Sequence, residues 1–316
     1  MKIAFLFPGQ GSQQVGMGKE IFSLYSKEKE IFQQARKILG FDVEKLCLYG
    51  SEEDLKKTYY LQPSLLILSY ITAKLLEKNG IYPVAVAGHS LGEWTAVAVS
   101  EVVDYPDALK IIYQRARLME EASIRKGGGM AAVIGLNREK VINICQQVGE
   151  VEAVNFNCPS QVVISGKKEK VDEAGKRLKR EGAKRVIPLP VSGAFHSFLM
   201  REAASKFSKV LDKFKFFSPR YPIVCNASAC YAKTNDEVKR NLKKQMDHPV
   251  LWEDSMKRLI RDGVNVFVEV GPGKVLQNLL RRIDKGVTTL GVESKEDIEK
   301  LCNYLGKRGQ ATFLLQ

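Results

Sequence analysis

The sequence predicts an α/β fold: a hydrolase-like large domain with a mainly parallel sheet, carrying an inserted ferredoxin-like β-α-β-β-α-β subdomain. Three observations carry that expectation. Short apolar runs alternate with segments of helical period towards both ends of the chain, the stretch between Gly127 and His196 follows a different order of elements, and Gly88-His89-Ser90-Leu91-Gly92 lies where a strand would turn into a helix. With 316 residues and 45% apolar content, the chain is long enough for one large core and a smaller subdomain.

In chain order, Ile3–Phe7 reads as a strand and is too short for the apolar core of a secretory signal, and no later stretch approaches a membrane span. Helical patterns cover Lys19–Leu39 and Pro63–Asn79, and Pro83–Ala87 reads as a strand. A helix-compatible stretch, Glu93–Val103, follows the Gly-x-Ser-x-Gly turn, and a helical pattern covers Pro106–Ala122. Arg125-Lys126-Gly127-Gly128-Gly129 is expected to be a flexible hinge. Beyond it come strand Met130–Leu136, helix Arg138–Val148, strands Val151–Asn155 and Gln161–Ser165, helix Glu169–Glu181 and strand Lys184–Leu189, which is the ferredoxin-like order. The large domain is therefore assigned to 1–126 and 197–316 and the inserted one to 127–196, with a cleft where they meet. Helix Val250–Asp262, strand Val264–Val270 and helix Lys274–Ile283 complete the large domain, and the tail after Leu305 is expected to be loosely ordered.

Six cysteines at scattered spacings, with no C-x-x-C and no Cys/His cluster, argue against a disulfide framework and a metal site, and point to a reducing, cytoplasmic setting. The net charge of +13, from 49 Lys+Arg against 36 Asp+Glu, favours polyanionic partners. Its distribution matters more. Basic residues crowd Lys167–Arg185, Lys239–Lys244 and Lys274–Lys285, on helical patterns without interleaved aromatics, which disfavours nucleic acid and leaves an acidic protein partner or plain solvated faces.

The Gly88–Gly92 pentapeptide reads as a nucleophile elbow, in which a serine on a tight strand-to-helix turn has its hydroxyl pushed out of the sheet and glycines let neighbouring backbone approach. Ser90 is the candidate nucleophile. The helix beginning there aims free N–H groups at a developing oxyanion, and the Leu91 amide is the first candidate donor. A base must come from three histidines. His89 is expected to point away from Ser90, His248 is held extended by Pro249 and is the weaker candidate, and His196 falls where the small domain's last strand returns to the large domain. His196 is therefore the candidate base. Nothing selects an orienting acid among Asp104, Asp107 or others, and a backbone carbonyl could hold the ring instead.

On Pro106–Ala122 the apolar stripe Ala108, Ile111, Ile112, Leu118, Met119 and Ala122 has Arg115 near its centre at about 100° per residue. A guanidinium on the buried side needs an anionic or strongly hydrogen-bonding partner, either an internal ion pair or a substrate carboxylate held bidentately. The loop Pro8-Gly9-Gln10-Gly11-Ser12-Gln13 fails as a dinucleotide fingerprint because Gln14 replaces the third glycine, but it can supply a second oxyanion-hole amide from Gln10. Gly271-Pro272-Gly273-Lys274 resembles a phosphate loop only superficially, since Val275 stands where Ser or Thr is required, and reads as a strand-to-helix turn.

Together these segments resemble the malonyl-CoA:acyl carrier protein transacylases of fatty acid synthesis and the related acyltransferase domains of polyketide synthases. The carriers are Phe7-Pro8-Gly9-Gln10-Gly11-Ser12-Gln13, Gly88-His89-Ser90-Leu91-Gly92-Glu93, Arg115, the run Asn155 to Gly166, Ala194-Phe195-His196-Ser197 and Glu269-Val270-Gly271-Pro272-Gly273-Lys274-Val275-Leu276, spanning nearly the whole chain. The resemblance implies that Ser90 is acylated, His196 is its base, Arg115 holds the malonyl carboxylate, and the Gln10 and Leu91 amides form the oxyanion hole. It further implies Asn157 and Phe195 at the substrate, a main-chain carbonyl near Gln245 orienting the histidine, and malonyl selectivity from the Gly193-Ala194-Phe195-His196 sequence. Malonyl-CoA would be the donor and an acidic acyl carrier protein the acceptor, with no bound cofactor, metal, nucleic acid or membrane. Two rivals remain: a serine hydrolase using the same elbow, distinguished by rapid water clearance of the acyl-enzyme, and a non-catalytic carrier-protein docking module.

Overall fold

The computed structural model describes residues 1–25, 28–191 and 193–306. Beyond Gly306, the tail expected to be loosely ordered lies outside these. Among the described residues, ten strands form two sheets: β1 Ile3–Phe7, β2 Ala85–Gly88, β3 Gly129–Ile134, β4 Val151–Cys158, β5 Gln161–Gly166, β6 Arg185–Pro188, β7 Ile223–Val224, β8 Tyr231–Ala232, β9 Val266–Val270 and β10 Thr288–Val292. The first sheet has the order β10-β9-β1-β2-β7-β8, parallel except for the β7–β8 pair. The second has the order β4-β5-β3-β6, with every pairing antiparallel.

The central strands of the first sheet are mostly apolar because helices cover both faces; β9 is buried at every position, Glu269 included. The long helices Thr58–Lys78 and Tyr105–Lys126 lie against each other on one face, and Trp252–Arg261 and Val275–Ile283 pack beside Phe267 on the other. In the second sheet, helices Arg138–Val148 and Lys168–Arg180 supply Val141, Ile144, Ala174 and Leu178 to a separate core. Main-chain bonds join the second sheet to the segment before helix Trp252–Arg261. Val250 donates to the Val154 carbonyl at 2.8 Å and accepts from Phe156 N at 3.0 Å, which sets the middle of β4 beside the segment leading out of Gln245.

Several boundaries differ from expectation for packing reasons. Lys19–Leu39 is two helices, Lys19–Leu24 and Glu28–Leu39, because the chain turns at extended Tyr25 and brings Phe22 edge-on to Phe32 at 4.7 Å. The helix placed at Pro63 begins at Thr58, since Thr58, Leu61 and Gln62 are already buried. At the expected hinge, the helix runs on to Lys126 and Gly128 is close-packed: a Cβ there would lie 2.7 Å from the Ala194 Cβ and 2.9 Å from the Gly166 carbonyl. That joint is a tight contact, and its left-handed φ of 113° makes glycine necessary.

Candidate active site

The end of β2 and the start of helix Leu91–Val99 enclose Ser90 at φ 51° and ψ −102°, a strained conformation for a non-glycine residue. It is held by contacts on both sides. Ser90 N donates to Asn226 Oδ1 at 2.7 Å, while Asn226 Nδ2 donates to the Gly88 carbonyl at 2.7 Å. A Cβ on Gly92 would collide with the Phe7 carbonyl, and one on Gly9 with the His89 carbonyl, so these glycines allow the loop after β1 to lie on the helix's first turn. Gln10 is in that loop and Leu91 is the helix's first residue.

His196 is 3% exposed and its Nε2 lies 2.8 Å from Ser90 Oγ. Its Nδ1 lies 2.9 Å from the Gln245 main-chain carbonyl, which can only accept, so Nδ1 carries the proton and Nε2 is free to accept from the serine hydroxyl. Burial, and then repulsion from Arg115, lower the His196 pKa to about 3. The two acids considered without a basis for choosing either are engaged elsewhere: Asp104 caps the helix at Tyr105 by accepting from Asp107 N at 2.8 Å, and Asp107 pairs with Lys110 at 2.8 Å. His248 is at the surface, paired with Asp247 at 2.8 Å, and His89 turns away from Ser90 so that its Nε2 meets Asn157 Oδ1 at 2.9 Å. Asn157 thus buttresses the residue before the elbow serine, and Phe195 is buried in the main core next to His196.

Arg115 is fully buried, as its place in the apolar stripe required. Nη1 donates to Gln62 Oε1 at 2.7 Å, while Nη2 donates to Gln245 Oε1 at 3.0 Å and Ser90 Oγ at 3.2 Å; Nε has no partner. Every acceptor is a neutral oxygen. Burial lowers its pKa to about 10, against the attraction of Glu93, so it stays charged near neutral pH. A cation held this way still has donors to offer an anionic substrate group.

Four neighbours were not identified from the sequence: Gln62, Glu93, Trp94 and Asn226. Glu93 was detectable as the one charged residue of an otherwise nearly apolar helix, whereas Gln62 is one of several polar residues on its helix and Asn226 is brought in by a short irregular segment with no local signal. At the Gly271–Lys274 turn, Glu269 accepts from Leu276 N at 2.9 Å and Gln277 N at 3.0 Å. A carboxylate therefore already occupies the helix start where a phosphate would bind. Among the described residues no group of three or more His, Cys, Asp or Glu is placed to hold a metal ion, and no helix is long and apolar enough to cross a membrane.

Comparison with known proteins places this geometry in context. Residues 4–314 match the acyl transferase domain family. The malonyl CoA-acyl carrier protein transacylase of Bacillus subtilis (strain 168) is 40% identical over 94% of this chain and 95% of its own length. That of Staphylococcus aureus (strain MSSA476) is 38% identical over 94% and 97%. An acyl carrier protein S-malonyltransferase from Vibrio cholerae superposes with a TM-score of 0.92 at 37% identity, covering 95% of this chain and all of that one. A malonyl-transacylase solved in complex with its type II PKS acyl-carrier protein gives 0.93 at 35% identity, covering 96% and 100%.

Proposed function

The chain belongs to the acyl transferase family, and on that premise we propose that it transfers a malonyl group from malonyl-CoA to the phosphopantetheine thiol of acyl carrier protein, for fatty acid or polyketide synthesis. The observation that carries the reading is the hydrogen-bonded line from the Gln245 carbonyl through His196 to Ser90, with the Arg115 guanidinium on the serine oxygen. Ser90 Oγ attacks the thioester carbonyl as His196 Nε2 takes its proton, and the CoA thiolate leaves with that proton. The carrier thiol then gives its proton to His196 and attacks the acyl-serine, and the proton returns to Ser90. The Gln10 and Leu91 amides would hold the oxyanion in both steps, with Arg115 on the malonyl carboxylate and Asn157 and Phe195 shaping the substrate's surroundings. We also read 127–196 as an inserted ferredoxin-like subdomain on a hydrolase-like large domain; the all-antiparallel β4-β5-β3-β6 order supports this.

Intact-mass analysis tests the function directly. One malonyl should add on mixing with malonyl-CoA and leave on addition of unloaded carrier protein; an adduct that water clears at the same rate without carrier would make the protein a hydrolase.

His196→Ala should slow acylation by about 10²-fold or more through loss of the base. NMR titration should find the native ring neutral down to about pH 3. Because the unfolded ring binds its proton near the ordinary value of about 6.5, the unfolded state holds more protons between these limits. This component of stability is therefore present above pH 6.5 and is lost as pH falls towards 3. A ring that titrates near 6.5 in the native protein would mean that water reaches the site.

The surface charges make a separate prediction. In helix Lys168–Arg180, Lys170 pairs with Glu173 at 2.8 Å, but Lys168, Lys176, Lys179 and Arg180 form no ion pair among the described residues, whereas Lys239 and Lys243 both face Asp212. If that helix steers an acidic carrier protein, kcat/KM for the carrier should fall with salt more steeply than for a small pantetheine-like thiol. Equal slopes would leave these lysines as solvated surface.

A further inference from the structure

Helix Leu91–Val99 is buried at every position, yet its third residue is Glu93, 1% exposed. Burial pushes this carboxyl up to about 7, while donors from Gln245, Asn226 and Cys225 and the nearby Arg115 charge oppose the shift. Such a group is costly to keep unless its partners depend on it.

Its main partner is the Gln245 side chain. Gln245 Nε2 donates to Glu93 Oε2 at 2.7 Å and to the Ser90 carbonyl at 2.7 Å, while its Oε1 accepts from Arg115 Nη2 at 3.0 Å and Trp94 Nε1 at 3.1 Å. The reversed amide would set its NH₂ against two groups that can only donate, and its oxygen against the Ser90 carbonyl and against Glu93, which accepts at both oxygens, from Gln245 Nε2 and Asn226 N, and in its ionised form has no proton to give. Glu93 Oε1 also accepts from Asn226 N at 3.2 Å, the residue whose side chain clasps Gly88 and Ser90.

On the acyl-transfer reading above, we infer that Glu93 is a positioning residue: through Gln245 it fixes the amide oxygen on Arg115, and on the same residue the main-chain carbonyl holds His196. Gln245 separates the two buried charges by one amide. A direct Glu93–Arg115 pair would occupy the guanidinium donors needed for a substrate carboxylate; the interposed amide keeps the negative charge near Arg115 and leaves them available.

Glu93→Gln keeps the size of the side chain but lets one of its two contacts become a donor, so the Gln245 amide loses its unique orientation. The direct readout is the pair of indole N–H resonances. Trp94 donates to Gln245 Oε1, while Trp252 Nε1 has no partner among the described residues and serves as internal reference. Expected in Glu93→Gln are an upfield move of Trp94 with Trp252 unchanged, and malonyl acylation of Ser90 slowed about tenfold or more. Most of that loss should vanish when the substitution is made in a Gln245→Ala background, because a residue acting through Gln245 has nothing left to position. An unmoved Trp94 resonance, or equal losses in both backgrounds, overturns the inference. If Glu93→Gln does not fold, Glu93→Asp carries the same comparison by drawing the carboxylate back one methylene. A wild-type protein that takes up no malonyl would refute the transfer reading, yet the indole measurement would still decide what Glu93 positions.

Discussion

Ser90→Ala should take up no malonyl from malonyl-CoA and should lower transfer on the order of 10⁶-fold, the scale on which removing a serine nucleophile disables a serine–histidine site. The fold should survive. Ser90 N and the elbow glycines hold the turn through Asn226, Phe7 and His89, and none of those contacts uses the hydroxyl. The lost hydroxyl bonds are those to His196 and Arg115, both of which keep other partners. The melting temperature should therefore stay near that of the wild type, while the unfolding free energy of Ser90→Gly should rise by about 1 kcal/mol as the strain at φ 51° is relieved. Malonyl label persisting in Ser90→Ala would move the nucleophile elsewhere. A large loss of stability would mean that the hydroxyl helps to hold the turn.

The contrast between Ser90 and Glu93 shows what a single sequence discloses about such a site. Ser90 was legible because its chemistry is written locally: strand, glycine, serine, glycine and helix are contiguous, and the steric reason for each glycine follows from the turn. Arg115 was legible from helical period alone, since a charge in the middle of an apolar stripe must be buried whatever surrounds it. Strand β1 and the helix Arg138–Val148 fell where hydrophobic patterning placed them. The helices Val43–Tyr49, Glu52–Lys56, Arg201–Leu211, Lys295–Tyr304 and Asn235–Gln245 were passed over. The last has few apolar residues, and it buries only Val238, Leu242 and Gln245 among the described positions of its span.

The histidine's orienting group lies on that overlooked helix. It is a main-chain carbonyl, which every residue carries, so no side-chain pattern could have marked Gln245; only family resemblance pointed there. Gln62 and Asn226 are likewise ordinary amides whose partners lie 53 and 136 residues away in sequence. Local patterning singles out the candidate reacting groups, and the tertiary fold shows what they touch.

Arg115→Ala should reverse acyl selectivity: malonyl transfer should fall by several kcal/mol of transition-state binding, about the 3–5 kcal/mol scale for removing one member of a buried charged pair, while acetyl transfer is retained or gained. The structure sharpens this expectation, because Arg115 bonds to Gln62, Gln245 and Ser90 and to no carboxylate. Its removal would leave two amides short of a donor, a cost of about 1–3 kcal/mol each at most, and Glu93 without a nearby positive charge. Some loss of melting temperature is therefore expected, but stability and selectivity should not change together. Acetyl brings no anion into the site, so an enzyme that keeps its Ser90–His196 bond should acylate with acetyl at least as well once the unpaired guanidinium is gone. Arg115→Lys separates charge from shape: it restores the positive charge without the planar fork, and should recover malonyl transfer only in part. If Arg115 is instead a structural cation balancing Glu93, both acyl groups should lose rate in parallel and the melting temperature should drop with them. Acylation rates for the two donors, measured beside the melting curves of both variants, distinguish the outcomes, and a parallel loss would rule out the carboxylate clamp.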